Sequence, residues 1–271
     1  CPYHSWSYDL QGNLKAAPHI GGINNHKPKG FNFKKHGLKP IRIHIWNDWI
    51  FINLSGKAKK FQEYAKPLFS KFKDIDFNKL KYTATLDFGK INTNWKFLIE
   101  NFIEPYHVQF VHKTTTNQPL RDHYTIVDGV CYGSGVDVKE EDSKSSSALS
   151  VSSRYLSLFP NFIIGTYYPN QVGVYLNVPI NPNTTIQKRI IYTVDGKEMT
   201  KEEIDITKKI WWSVHKEDHE ICERLQEGRS SPASNEGGLL SPYWENGVKA
   251  FQKLIIQSTK SSKLMKRKTN V

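Results

Sequence analysis

The chain has few cysteines and no long apolar run. Its three cysteines, Cys1, Cys131 and Cys222, are widely separated in the sequence, which argues against a disulfide framework. Free thiols favour a reducing compartment, and we expect the cytoplasm. No stretch approaches the roughly 18 apolar residues that a membrane span requires, so the sequence also predicts no membrane association.

The chain also has fewer acidic than basic side chains. The 26 Asp and Glu residues stand against 38 Lys and Arg residues, which gives a net charge of +12 over 271 residues. An excess of this size can indicate nucleic-acid binding. The basic residues are scattered, however, with their densest cluster at residues 260–268, and no basic stripe is interleaved with aromatic side chains. We therefore expect no nucleic-acid partner.

The order of local patterns predicts an α+β protein. Residues 1–56 combine a turn at 9–13 with β-type runs at 41–46 and 49–54, which indicates an all-β segment. Residues 57–271 then mix both element types, with strands predicted at 81–88, 161–166, 173–178 and 187–194, and helices at 61–72, 94–112, 200–226 and 241–257. Thr200 is the expected N-cap of the third helix, and Gly228 is expected just past its end. Residues 139–153 are Ser-rich and charged, which favours a loop. The repeated strands favour an antiparallel sheet flanked by helices.

The first four residues carry half of a metal site. Cys1 and His4 can ligate one metal ion together, but two ligands do not complete a tetrahedral zinc site. In a Rieske [2Fe–2S] centre, one iron takes two Cys and the other takes two His, so two such pairs are needed. The segment therefore supplies only one of the two pairs that such a centre needs. The chain also begins with Cys1 instead of Met.

A second group of potential ligands lies about one hundred residues further on. His107 and His112 are five residues apart, which on an ideal helix separates them by about 140°. They converge on one ion only if the helix is locally distorted, and ordinary hydrogen-bonded histidines are the alternative. Two His and one carboxylate can hold Fe(II) on one face and leave positions open for O₂ and substrate.

Together these two segments resemble the Rieske non-heme iron oxygenase α-subunit family. The first segment reads Cys-Pro-Tyr-His-x-Trp at residues 1–6 and Tyr-Asp-x-x-Gly at 8–12. The second reads Asn-Trp-Lys at 94–96, Glu-Asn-Phe at 100–102 and Glu-x-Tyr-His at 104–107, followed by His112. The resemblance implies part of a Rieske domain at residues 1–56 and a catalytic iron domain at 57–271. It also implies a longer parent protein, in which a second Cys and His pair lies upstream of Cys1.

The resemblance also implies roles for the candidate ligands. Cys1 and His4 would be two of the four [2Fe–2S] ligands, whereas His107 and His112 would bind Fe(II). The family takes its third iron ligand, an Asp, from a late helix. Asp218 is our assignment, with Glu217 as the alternative, and a solvated helix face is the simplest other reading of either acid.

Four further residues are candidates for supporting roles. In the family, an acid at the position of Glu104 links the Rieske histidine of one subunit to an iron histidine of the next, within a ring of three. Here it would join His4 to His107, although a surface Glu is the alternative. Asn101 is a candidate for hydrogen bonding beside the iron. Trp211 and Tyr167 are candidate pocket residues, with core packing as the alternative for both.

The activity that this resemblance implies is the hydroxylation of a small molecule with O₂. Electrons would come from NAD(P)H through a flavin or iron–sulfur reductase, and the oxygenase would be a homotrimer. Glu at position 104 is similar to the residue that family members acting on choline, glycine betaine or carnitine carry there. We therefore expect hydroxylation next to a quaternary or N-methyl nitrogen. An aromatic-ring dioxygenase or O-demethylase is the enzymatic alternative. A non-enzyme alternative is an inactive iron-binding fragment that lacks half of the cluster ligands.

Overall fold

The computed structural model describes residues 1–116, 118–137, 153–167 and 170–268, with side chains as far as residue 260. The loop predicted at 139–153 falls outside the described residues, apart from Ser153, which begins a strand. The chain divides into two compact units, Cys1–Phe61 and Gln62–Val271.

The first unit contains two small antiparallel sheets. The turn predicted at residues 9–13 is present, because Asp9 Oδ1 accepts hydrogen bonds from the backbone N–H groups of Gln11 and Asn13, at 3.1 and 2.8 Å. A 3₁₀ turn covers Phe33–Lys35. The four strands pair in sequence order: β1 (Ser7–Tyr8) with β2 (Leu14–Ala16), and β3 (Arg42–Trp46) with β4 (Trp49–Asn53).

The β3–β4 hairpin has one exposed and one covered face. Isoleucine side chains form the exposed face, where Ile43 pairs with Ile52 and Ile45 with Ile50. The opposite face holds an aromatic cluster in which Trp46 contacts Trp49 at 4.9 Å between ring centroids. The strands therefore alternate as the sequence predicts, and the larger aromatic side chains take the covered side.

The second unit is built on a seven-stranded antiparallel sheet. Its strand order is β5-β11-β10-β9-β8-β7-β6. Strands β6 to β11 therefore pair in sequence order, and β5 lies at the edge of the sheet beside β11. The predicted antiparallel sheet is confirmed, although the sequence patterns did not reveal its β6, β7 and β8 strands. The strands are β5 (Lys81–Ile91), β6 (His123–Asp128), β7 (Cys131–Val136), β8 (Ser153–Leu158), β9 (Phe162–Tyr167), β10 (Gln171–Asn181) and β11 (Thr184–Thr193).

Six α-helices accompany the sheets in the described residues: α1 (Phe61–Tyr64), α2 (Lys66–Ser70), α3 (Trp95–Ile103), α4 (Val108–Val111), α5 (Lys201–Arg229) and α6 (Asn246–Lys268). Further 3₁₀ turns cover Phe77–Lys79, Leu120–Asp122 and Pro232–Glu236.

The ends of α5 show one confirmed and one wrong prediction. Thr200 and Glu203 form a capping box, in which each side chain bonds the backbone N–H of the other residue. Gly228, expected beyond the helix, instead lies in its last turn. The helix ends at Ser230, whose side chain donates to the Gln226 carbonyl at 3.0 Å and so supplies the terminal contact.

The single helix predicted at residues 94–112 is wrong, because the chain breaks it in two. Asn94 caps the start of α3 by accepting a hydrogen bond from Lys96 N–H at 3.1 Å. The helix stops at Ile103, and Glu104 is extended, with φ −112° and ψ 143°. Pro105 explains the break, since the proline ring disfavours helical geometry in the residue before it. The short α4 helix follows.

Two apolar clusters attach the long helices to the sheet. The first joins α3 and α6 to β7, β9 and β10 through Ile99, Ile103, Tyr132, Ile163, Tyr175, Val248 and Phe251. The second joins α5 to β5, β9 and β11 through Leu86, Tyr167, Ile191, Trp211 and Val214. Each such side chain contributes about 1.5–3 kcal/mol on full burial. Within the described residues, no helix has the length and apolar character of a membrane span.

Candidate metal centre

Three side chains that the sequence proposes as iron ligands converge in the second unit. His107 and His112 stand at the two ends of α4, and Asp218 projects from α5. Asp218 Oδ1 lies 3.6 Å from His107 Nε2 and 3.1 Å from His112 Nε2. One ligand atom from each residue lies within 4.8 Å of the other two. Among the described residues this is the one group of three His, Cys, Asp or Glu side chains with such geometry, and Cys1 and His4 are not part of it.

The end of α4 makes this convergence possible. In a continuous helix the two histidines would point in directions about 140° apart. Here His107 still has helical backbone, whereas His112 follows the last residue of α4 with φ −89° and ψ 47°, so the chain leaves helical geometry at the second histidine. Their ring centroids are 5.3 Å apart. The distortion that the spacing requires is therefore supplied by the chain itself.

Each histidine is held from behind by a carboxylate. Glu104 Oε1 contacts His107 Nδ1, and the Glu104 carboxylate also accepts a hydrogen bond from the His107 backbone N–H at 3.2 Å. Glu217 Oε2 lies 2.8 Å from His112 Nδ1 and also accepts a hydrogen bond from the Thr115 hydroxyl. A carboxylate on one ring nitrogen fixes the imidazole and directs the other nitrogen to a metal. Glu217, the alternative ligand, therefore lies behind His112.

The charges in this group fit a cation at its centre. Asp218 Oδ1 is buried and has no donor in good hydrogen-bond geometry among the described residues, although His112 Nε2 lies 3.1 Å away. Burial alone would raise the pKa of Asp218, but the neighbouring His112 and His107 hold that pKa well below its usual range. Burial would also lower the pKa of His112, yet Asp218 and Glu217 raise it to about 9. Without a metal, the proton on His112 thus supplies the positive charge that Asp218 requires, and a divalent ion could replace it.

A cavity opens beside the three ligands. The space not filled by protein atoms is about 600 Å³ and includes the open mouth. The predicted residues Asn101, Glu104, Tyr167 and Trp211 all line it, in addition to the three ligands. Asn101 is buried, and Trp211 donates a hydrogen bond from its indole nitrogen to Gln171 Oε1 at 3.2 Å. The structure thus brings together every predicted site residue of the second unit.

Three residues near the cavity were not identified as site residues from the sequence. His123 and His215 line it, and Arg189 lies behind its aromatic wall. His123 has Nδ1 3.0 Å from the Pro119 carbonyl, while its buried Nε2 has no partner among the described residues. Burial lowers the pKa of both histidines. Two signals were present: His215 precedes Asp218 by three helical positions, and Arg189 occupies an inward position of a β-strand.

The family relationship follows from comparison with known proteins. Residues 74–260 match the model of the ring hydroxylating alpha subunit, catalytic domain. Choline monooxygenase of Atriplex hortensis is 26% identical over 93% of this chain and 57% of its own length. The carnitine monooxygenase oxygenase subunit of Escherichia coli K12 is 25% identical over 95% of this chain and 70% of its own length.

Solved structures agree on the fold. A quaternary ammonium Rieske monooxygenase in complex with L-carnitine superposes with a TM-score of 0.68 at 20% identity, over 95% of this chain and 70% of that chain. Naphthalene 1,2-dioxygenase gives a TM-score of 0.60 at 18% identity, over 89% of this chain and 64% of that chain. The chain spans a little over half the length of the choline monooxygenases that it matches. On the strength of the family match over residues 74–260, the chain belongs to the ring-hydroxylating oxygenase α-subunit family.

Proposed function

We propose that the chain is the oxygenase component of a Rieske-type monooxygenase that hydroxylates a quaternary ammonium compound next to its nitrogen. The observation that carries this proposal is the convergence of His107, His112 and Asp218 beside a cavity, on the segment that matches the family's catalytic domain. Two imidazoles and one carboxylate suit Fe(II), which supplies O₂ activation when it is bound.

The protein's own residues then have separate tasks. Glu104 and Glu217 orient the two imidazoles, and Asp218 offers a deprotonated oxygen. The aromatic side chains Trp211 and Tyr167 exclude water from one side of the cavity and shape the space for the substrate. These tasks amount to holding the ion in an open geometry within a mostly apolar pocket.

Electron delivery is the second part of the proposal. Residues 1–56 would belong to a Rieske domain and 57–271 to the catalytic domain, with Cys1 and His4 as two of the four [2Fe–2S] ligands. Glu104 would connect His107 to the His4 of a neighbouring copy in a homotrimer, and an NAD(P)H-dependent flavin or iron–sulfur reductase would supply electrons. The contact between Glu104 and His107 supports this route. All three cysteines are free thiols, which supports the reducing cytoplasm as the location.

Relatives support the substrate class but leave one rival. Choline and carnitine monooxygenases match over more than nine tenths of the chain. The rival is an aromatic hydroxylase or dioxygenase, because the large oxygenase component of a Ralstonia salicylate 5-hydroxylase is 32% identical over 41% of this chain. We favour the first class because its similarity extends over both units.

The test is oxygen consumption by the full-length protein together with a reductase. Choline, glycine betaine and carnitine are compared with salicylate and naphthalene as substrates. We expect substrate-dependent O₂ uptake with at least one ammonium compound, with formation of its hydroxylated or demethylated product. Glu220→Gln, an exposed change on α5, serves as the control variant and keeps activity. Turnover of the aromatic compounds alone would refute the proposed substrate class.

The non-enzyme alternative is separated by a second measurement. An inactive iron-binding fragment would take up Fe(II) at His107, His112 and Asp218 yet show no O₂ uptake with any substrate, even when chemically reduced. Product formed in a single turnover by the reduced full-length protein would exclude that alternative.

A further inference from the structure

The aromatic wall of the cavity already holds a cation of the protein's own. Arg189 is completely buried, and its guanidinium carbon lies 3.3 Å from the ring centroid of Trp211. The rings of Tyr167 and Tyr175 lie 4.6 and 5.1 Å from the same carbon. Such distances are typical of cation–π contacts. Three of the rings that could surround a substrate ammonium group therefore surround Arg189 instead.

Space for this guanidinium is provided by a glycine on β10. A Cβ atom at Gly173 would lie 2.8 Å from Arg189 Nη2 and 3.0 Å from its Cζ, closer than side-chain atoms approach one another. The arginine therefore lies flat over Gly173, between the sheet and Trp211. Its position is built into the fold.

The charge of Arg189 is not neutralised by a neighbouring acid. Among the residues that the structure describes, no Asp or Glu forms an ion pair with Arg189, and its Nε and Nη2 atoms have no hydrogen-bond acceptor. Its Nη1 donates to the Tyr175 hydroxyl and lies 3.3 Å from His215 Nε2. A buried guanidinium stays charged, so this wall of the cavity carries an uncompensated positive charge.

A hydrogen-bond chain links Arg189 to two buried tyrosines that line the cavity. Tyr175 accepts from Arg189, and the hydroxyl oxygens of Tyr175 and Tyr167 are 3.0 Å apart. Burial raises the pKa of Tyr175 well above its usual value, so its hydroxyl keeps its hydrogen. Two hydroxyl hydrogens are thus available, and the bond between the tyrosines uses one. The second has no acceptor in the described part of the chain, and both tyrosines line the cavity.

We propose that Arg189, Tyr175 and Tyr167 form a carboxylate-recognition wall, which selects substrates that carry an anionic group in addition to the ammonium group. The free hydroxyl hydrogen would be donated to a carboxylate oxygen, and Arg189 polarises it from behind. The same positive charge disfavours a bare trimethylammonium group at these rings. This inference specifies the substrate class of the proposed function. It rests on the proposed function only for the ammonium group of the substrate, whereas the carboxylate preference is argued from the wall itself.

The test measures binding to the Fe(II)-loaded protein in the absence of oxygen by isothermal titration calorimetry. The probes are γ-butyrobetaine and butyltrimethylammonium, which share the cationic group and the chain length but differ in the carboxylate. We expect the unaltered protein to bind γ-butyrobetaine roughly tenfold or more tightly, the effect of one charge-assisted hydrogen bond. Equal affinities for the two compounds would overturn the proposal.

Variants test whether the wall residues cause the preference for the carboxylate compound. Arg189→Met removes the charge and fills the space between the rings, and the double variant Tyr167→Phe/Tyr175→Phe removes both hydroxyls and keeps Arg189. Both are expected to bring the two affinities to within about twofold, and the second variant provides the result if the first fails to fold. Lys188→Met is the matched control, since Lys188 is adjacent on β11 and pairs with Asp87 at the surface, 2.6 Å away. A preference that survives in both wall variants places the carboxylate elsewhere and overturns the proposal.

A second pair of probes separates this proposal from the proposed function. Salicylate and phenol differ in a carboxylate but carry no ammonium group. If neither ammonium compound binds, while salicylate binds more tightly than phenol and loses this advantage in Tyr167→Phe/Tyr175→Phe, the wall is supported and the proposed substrate class fails. If the protein binds the carboxylate compound no more tightly than its partner in both pairs, the proposed wall is refuted.

Discussion

Glu217 holds His112 in place, with its Oε2 atom 2.8 Å from His112 Nδ1. Glu217 is also the immediate neighbour of Asp218 on α5, so consecutive residues of one helix supply a proposed ligand and the support of a second proposed ligand. This arrangement ties the position of α5 to the geometry of the whole metal group.

Replacing Glu217 by Ala is expected to weaken Fe(II) binding by about 10–100-fold, the usual cost of losing a carboxylate behind a metal-bound imidazole. His112 would lose the partner that fixes its ring, while all three ligands remain. Calorimetric titration with Fe(II) measures the effect. Glu220→Ala, on an exposed position of the same helix, should leave the affinity unchanged. Unchanged affinity in Glu217→Ala would show that His112 is held by other contacts.

Replacing Asp218 by Ala is expected to abolish stoichiometric iron binding, because the only carboxylate in the group of three is lost. Metal analysis after gel filtration measures the iron content. Asp205→Ala, an exposed acid near the start of α5, is the matched control. Retention of one iron per chain in Asp218→Ala would move the third ligand to Glu217 or to another residue.

The break between α3 and α4 can be tested at Pro105. Pro105→Ala removes the restriction on Glu104, so helical geometry becomes accessible where the chain is now extended. A helix continued through Glu104 would shift His107 relative to Asp218 and change its contact with Glu104, and we expect Fe(II) affinity to fall about tenfold or more. Pro67→Ala, at the start of α2, is the control for loss of a proline elsewhere. Full affinity in Pro105→Ala would show that the metal group itself enforces the break.

The capping box at Thr200 is expected to stabilise α5 and the fold. Thr200→Ala removes the side-chain acceptor for Glu203 N–H, 3.2 Å away, and should lower the free energy of unfolding by about 1 kcal/mol. Thr200→Ser retains the hydroxyl and should lie within a few tenths of the original value. Urea denaturation followed by circular dichroism gives both numbers. Equal stability of the Ala and Ser variants would contradict a role for the cap.

The sequence predicted which side chains lie together better than how the chain brings them together. His107, His112 and Asp218 were identifiable because their residue types and order match a family, and the antiparallel sheet followed from repeated strand patterns. The broken helix was missed although Pro105 was visible, since the apolar spacing continues across it. Strand β7, Cys131–Val136, was missed because its small residues carry little alternating pattern.

Arg189 shows why part of the pocket required the structure. Its sequence position indicates an inward side chain on a strand, but a strand pattern does not reveal what lies opposite. The contacts with Trp211 and Tyr167 join three elements that are distant in sequence, and they depend on the space above Gly173. Only the assembled fold brings these elements together.

Helix α5 carries residues of both the pocket wall and the metal group, so a change of one is coupled to a change of the other. On α5, Trp211 forms part of the pocket wall, Asp218 faces the metal position and Glu217 supports His112. A substitution that reseats α5 would therefore change substrate fit and metal geometry at the same moment. Divergence towards new substrates should therefore accumulate at cavity positions that do not pack on α5, such as Ser134 on β7. Sheet residues that pack on Trp211, such as Tyr167, are coupled to the same helix.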